Sequence, residues 1–104
     1  MYEVFITTIA VKQFSSEEIK DIVQELSARN ISHGITGVLI YNNGEFYQIL
    51  EGEKDTICNL MDSIKEDERH GSVHTIWEGE IPERGYKNWG LAPCMMSQFS
   101  LDTT

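Results

Sequence analysis

Cationic side chains are scarce in this chain. Eight Lys and Arg stand against seventeen Asp and Glu in 104 residues, a formal net charge of −9. That is the wrong sign for tracking a phosphate backbone or docking on an anionic membrane, so neither nucleic acid nor a membrane surface is an expected partner. Cysteine is nearly absent. Cys58 and Cys94 have no companion at metal-ligand spacing and no signal peptide ahead of them, which excludes disulfide and zinc frameworks and predicts reduced thiols in the cytoplasm. No apolar run approaches the roughly 20 residues that cross a bilayer, so the chain is expected neither to span a membrane nor to be exported. Repeats, low-complexity stretches and linkers are also lacking. What is present, 40% hydrophobic and 24% charged residues, is the composition of a folded chain rather than a disordered one. The length suffices for one core but not for two.

Recognisable catalytic signatures are missing as well. There is no G-x-G-x-x-G, P-loop, G-x-S-x-G or H-E-x-x-H, and neither cysteine has a base nearby in sequence. His33, His70 and His74 share no metal-ligand spacing with one another or with a cysteine, so no metal site is expected. The acidic clusters Glu17-Glu18, Glu66-Asp67-Glu68 and Glu78-Glu80 read as solvated helix ends and hairpin rims. The chain is not expected to be an enzyme.

Local patterns predict seven elements. Residues 2–10 are rich in β-branched and aromatic side chains, with Val4, Ile6 and Thr8 on one face and Phe5, Thr7 and Ile9 on the other. Ser15 and Glu18 fit the S-x-x-E capping box, and Ile19, Ile22, Val23 and Leu26 recur at helical spacing over residues 16–28. The apolar run 35–41 ends in Asn42-Asn43-Gly44, a hairpin signal because a type I′ turn needs positive φ at both central residues. Its partner strand, 45–51, carries Phe46, Gln48 and Leu50 on one face and Tyr47 and Ile49 on the other. Ile57, Leu60, Met61 and Ile64 define a second amphipathic helix over 54–68, terminated by Gly71. Strands over 72–78 and 89–96 follow, separated by a Pro82 and Gly85 turn region. The order βαββαββ, with a central hairpin and a helix on either side of it, predicts an α+β, ferredoxin-like fold: a mixed sheet with both helices packed on one face.

A few polar residues stand out from a plain core. Asn30 closes the first helix, Gln48 sits in mid-strand on an otherwise apolar face, and Asp67, Arg69 and His70 crowd the end of the second helix. Taken singly, Asn30 reads as a helix C-cap, Gln48 as an outward-facing strand residue, and Arg69 and His70 as partners of the helix dipole. Taken together they can line a cleft between the helices. There the amides would grip the carbonyl and N–H edge of a planar ring while Arg69 meets a phosphate or ribose.

In order along the chain, Asn30, the Ile35-Thr36-Gly37 triplet, F-x-Q-x-L-E-G over residues 46–52, D-x-R-H over 67–70, and Arg84, Tyr86 and Trp89 as R-x-aromatic-x-x-W resemble a BLUF domain, the FAD-binding blue-light sensor module. The likeness extends over about residues 2–92. It implies a flavin-binding domain over residues 1–96, a short tail over 97–104, FAD as cofactor and the isoalloxazine ring between the two helices. By the same resemblance Asn30 would hydrogen-bond the ring and Gln48 would be the switch residue near flavin N5 and O4. Asp67, Arg69 and His70 would line the other edge of the ring and its ribityl and phosphate side. Trp89 matches the tryptophan of the family's last strand, whose position relative to Gln48 differs between light and dark models of the family. Arg29 falls where members vary. FMN or riboflavin would also fit, since ring contacts dominate.

Two positions depart from the family pattern. The family's first strand carries a tyrosine that donates an electron and a proton to the excited flavin, and here that position is Ile6, with no hydroxyl and no redox-active ring. The usual light-driven rearrangement of Gln48 is therefore expected to be impaired. The family's methionine two residues beyond the tryptophan is Leu91, a nearly volume-conserving change. Tyr2 lies on the face of Ile6 but about 13 Å along the strand, and Tyr41 and Tyr47 read as packing residues. Trp89 is the remaining candidate electron donor, although its indole N–H cannot accept a bond from Gln48. The expected function is a cytoplasmic FAD-binding sensory or regulatory domain acting through protein contacts. The alternative raised by Ile6 is a flavin-free ferredoxin-like interaction module derived from such a domain. Apolar residues on the outer sheet face, including Phe5, Ile9, Tyr47 and Ile49, predict a homo-oligomer or a protein partner there.

Overall fold

The computed structural model describes residues 1–66 and 70–91, and the side chains of 1–66 and 72–90. Its elements run β1 (Tyr2–Ala10), α1 (Ser16–Ser32), β2 (Thr36–Asn42), β3 (Glu45–Gly52), α2 (Lys54–Glu66), β4 (His70–Glu80) and β5 (Trp89–Leu91). The strands form one sheet in the order β4-β1-β3-β2-β5, antiparallel except where β5 joins β2 in parallel. This is the mixed ferredoxin-like sheet expected from the chain order.

Each element has a local cause. Asn43 and Gly44 have φ of 50° and 82°, as the type I′ turn between β2 and β3 demands. At the start of α1 the Glu18 N–H donates to Ser15 Oγ at 3.2 Å and the Ser15 N–H donates to Glu18 Oε1 at 3.0 Å, completing the capping box. Gly37 has φ of 150°, and a Cβ there would lie 1.8 Å from the Ile49 carbonyl oxygen, so only glycine lets β2 and β3 close.

Alternation places Val4, Ile6 and Thr8 of β1 and Phe46, Gln48 and Leu50 of β3 on the buried, helix-facing side. Ile19, Ile22 and Leu26 of α1 and Ile57, Leu60, Met61 and Ile64 of α2 close the core over them. Helix α1 packs on β2 and β5, whereas α2 packs on β1, β3 and β4. The groove between the helices thus lies above the middle of the sheet.

Several boundaries differ from the sequence expectation. Helix α1 continues past residue 28 to Ser32, because Gly34, with φ of 72°, is the residue that ends it: its N–H donates to the Ile31 carbonyl at 3.0 Å. Asn30 is consequently not a C-cap; His33 is. Strand β4 starts at His70 and includes Gly71, which the helical periodicity had assigned to the end of α2, because pairing with β1 extends from Tyr2↔Glu80 to Ala10↔His70. The tail over 97–104, Cys94 and the expected continuation of β5 to residue 96 lie outside the described residues.

Candidate functional site

A cavity of about 250 Å³ opens between the last turns of α1 and one side of α2. Arg29, Asn30 and His33 line one wall, Thr56, Asn59 and Ser63 the other, with Ile35 and Leu60 supplying apolar surface. Asn30 is 2% exposed, and its Oδ1 is buried without a hydrogen-bond partner. An unpaired buried amide oxygen costs about 1–3 kcal/mol, and at the cavity wall this one is open to a donor from outside the chain. The backbone around it is firmly held. The Asn30 carbonyl accepts from the His33 and Ile35 N–H groups at 3.1 and 2.8 Å.

Gln48 faces inward at 3% exposure, which excludes the outward-facing reading of this residue. It does not itself line the cavity; it sits on the helix-facing side of the sheet in a cross-strand row. The register places Thr75 of β4, Ile6 of β1, Gln48 of β3, Leu39 of β2 and Leu91 of β5 side by side. Ile6 is thus the immediate neighbour of Gln48 on β1, and both Ile6 and Leu39 are fully buried. Trp89, two residues before Leu91, is 2% exposed, with its Nε1 buried and unpartnered. Its carbonyl accepts from Ser27 Oγ at 2.9 Å.

The structure therefore brings Asn30 to a cavity and Ile6 beside Gln48. Asp67 and Arg69 lie outside the described residues, as do the side chains of His70 and Leu91. The sequence reading missed Thr56, Asn59 and Ser63, whose i, i+3, i+7 spacing beside the apolar stripe of α2 was a usable signal. It also missed Thr8, fully buried with an unpartnered Oγ1 on the face of Ile6, one polar residue in an aliphatic alternation like Gln48. Tyr41 proves to be a packing residue: its hydroxyl accepts from the Phe14 N–H at 3.0 Å, and its ring lies 4.9 Å from that of Phe46.

The family described as sensors of blue-light using FAD matches residues 1–92. The chain belongs to the BLUF family. FAD is the cofactor by which that family is defined, and its members are sensory modules rather than enzymes. Among curated relatives, photoactivated adenylate cyclase subunit beta of Euglena longa is 40% identical over 83 residues, covering 79% of this chain and 10% of the relative. The blue light- and temperature-regulated antirepressor BluF of Escherichia coli K12 is 27% identical over 75 residues, covering 72% of this chain and 19% of the relative. This BLUF chain thus spans a fifth or less of the length of these two relatives. A solved bacterial light-regulated adenylyl cyclase superposes with a TM-score of 0.77 at 28% identity, covering 99% of this chain and 32% of that one. Klebsiella pneumoniae BlrP1 with FMN and cyclic diGMP superposes at 0.73 and 25% identity, covering 80% and 22%.

The residues present fit a flavin. A planar ring with a carbonyl and an N–H edge would meet an amide, Asn30, whose acceptor has no internal partner. Among the described residues no carboxylate lines the cavity, whereas Arg29 and His33 do. That local charge balance suits a phosphate-bearing ligand.

Proposed function

We propose that the protein is a flavin-binding sensory or regulatory domain whose usual photoswitch is impaired, and which acts through protein contacts. The observation that carries this reading is the buried, unpartnered Asn30 Oδ1 on the wall of a cavity between α1 and α2, with Gln48 buried beside Ile6 on the helix-facing side of the sheet. The cavity is smaller than the about 300–1,000 Å³ of a pocket for a drug-sized ligand. It suits a ring system, with the adenine end of FAD left outside.

Within that site each described residue has a distinct task. Asn30 would accept from the ring N–H edge and donate to a ring carbonyl. Leu60 and Ile35 would exclude water from a bound ring, and Arg29 would meet a phosphate of the cofactor. Gln48 would orient its amide by the groups flanking it. In the family a phenol on β1 provides one of those groups; here β1 offers the aliphatic side chain of Ile6, which neither accepts nor donates a hydrogen bond. Bound FAD would supply blue-light absorption, which no side chain of the chain provides. Asp67, Arg69 and His70 complete the proposed set.

The direct test is to load the purified protein with FAD, remove unbound flavin, and record retained flavin absorbance for the wild type and for Asn30→Leu. Retention in the wild type and its loss in the variant is the expected result. No retention by the wild type overturns the reading and leaves a flavin-free interaction module. A parallel load with FMN decides whether the adenosine half contributes to binding.

A further inference from the structure

Two of the sequence motifs, L-E-G on β3 and R-x-aromatic-x-x-W, meet on the side of the sheet away from the cleft, where Glu51 of the first is joined to Arg84 and Tyr86 of the second through Thr36 and backbone bonds. Alternation along β3 puts Glu51 on the outer face with Tyr47 and Ile49, but Glu51 is 0% exposed because residues 84–86 cover it. Its Oε2 accepts from the Gly85 N–H at 2.7 Å, and its Oε1 accepts from the Tyr86 N–H at 3.1 Å and from Thr36 Oγ1 at 2.9 Å. Arg84 Nη1 donates to Thr36 Oγ1 at 2.9 Å and to the Glu51 backbone carbonyl at 3.3 Å. A fully buried carboxylate is expensive unless its lone pairs are satisfied, and here two backbone N–H donors to it, those of Gly85 and Tyr86, belong to the segment that leads into β5.

That segment determines where β5 begins. Among the described residues β5 lies at the sheet edge and pairs with β2 alone, so its place depends on what holds its start. Two residues, Lys87 and Asn88, separate Tyr86 from Trp89, and the Asn88 carbonyl accepts from the Gly37 N–H at 2.9 Å, next to Thr36 of the same cluster. The clasp around Glu51 and the entry of Trp89 into the core are thus one continuous set of bonds.

We propose that Glu51 is a positioning residue for Trp89, its carboxylate clasping the 84–86 segment to the sheet and thereby holding the indole in the core beside the switch row. The weight of that placement for light sensing rests on the flavin reading above; the placement itself does not. A change in protein contacts that loosens the clasp reaches Trp89 from the face opposite the cofactor.

The test uses the two tryptophans of the chain. In a Trp77→Phe background Trp89 is the only emitter, and in a Trp89→Phe background Trp77, exposed on β4, is the control. In the flavin-free protein, Glu51→Gln and Arg84→Ala are expected to shift Trp89 emission to the red and raise its acrylamide quenching by about twofold, as local opening of an anchored segment should. Thr36→Ser, which keeps the hydroxyl, is expected to retain parent values, and Trp77 emission is expected to stay constant throughout. Unchanged Trp89 emission and quenching in both variants, or an equal response from Trp77, overturns the proposal. If either variant fails to fold by far-UV circular dichroism, Thr36→Val opens the same cluster from its centre and is judged by the same criteria. Flavin absorbance, recorded separately on loaded samples, reports on the cleft, so a protein that holds no flavin still decides the role of Glu51.

Discussion

Asn30 is where stability and binding should part company. Its orphaned acceptor costs the flavin-free fold about 1–3 kcal/mol, so Asn30→Leu, of similar size, is expected to unfold at the same or a higher urea concentration while losing flavin retention. A fall in both would mean that the amide supports the fold and not a ligand. Gly37 lies at the opposite extreme. A Cβ 1.8 Å from the Ile49 carbonyl cannot be relieved by a side-chain rotation, so Gly37→Ala is expected to cost about 4 kcal/mol or more and to abolish soluble folded protein. The facing of Ile6 and Gln48 was legible from strand parity, because a period of two fixes the face of every residue once one face is buried. Their adjacency was not, since register depends on how β1 and β3 meet across forty residues of chain. Glu51 was illegible for the same reason: alternation puts it on the solvent side, and only the later Arg84, Gly85 and Tyr86 bury it.

The capping box at α1 gives a plain expectation for an element: Ser15→Ala should lower stability by about 1 kcal/mol through loss of the Glu18 N–H acceptor. Thermal or urea unfolding monitored by circular dichroism measures it. The start of this helix was readable because the box is a local code. Its end was not, because residues 29–32 carry no strong breaker and the stop is set by the positive φ of Gly34. The β1–β3 pair carries a pH dependence. Glu3 lies opposite Glu51 in the register, and burial first, then the Glu51 charge and a side-chain hydrogen bond to Glu51, push the Glu3 carboxyl above the usual 4.5. The folded chain therefore holds that proton to higher pH than the unfolded chain. Its contribution is fully present below the ordinary glutamate value and is lost as pH rises through the raised one. Glu3→Gln keeps a hydrogen-bond donor toward Glu51 and removes the titration, so its urea midpoint is expected to vary less with pH across that window than the wild type's. Equal slopes would place the proton elsewhere.

At the scale of the molecule, one face of the sheet carries the helices and the cleft, and the other is partly open. Phe5 and Trp77 pair across β1 and β4 on that open face, Trp77 is 45% exposed, and Tyr47 and Ile49 continue the apolar surface on β3. Such a face favours self-association or a protein partner. Light scattering is expected to detect a species larger than one chain, strengthened by salt because each chain carries a net charge of −9, and weakened by Trp77→Asp. A monomer at high concentration and high salt would contradict it. The element order and the two-layer architecture were legible because helical and strand periods alternate clearly. The cleft was only half legible, since Asn30 and Gln48 stood out as polar residues while Thr56, Asn59 and Ser63 looked like an ordinary solvated flank of α2. The whole reading meets its sharpest test in the absorbance spectrum of the FAD-loaded protein, in the dark and under blue light, beside Ile6→Tyr. A structured flavin band that stays in place in the wild type and moves to the red in the variant is the expected result. A red shift in the wild type would contradict the role assigned to Ile6 and point to Trp89 as the donor, and no flavin band in either protein would contradict the site itself.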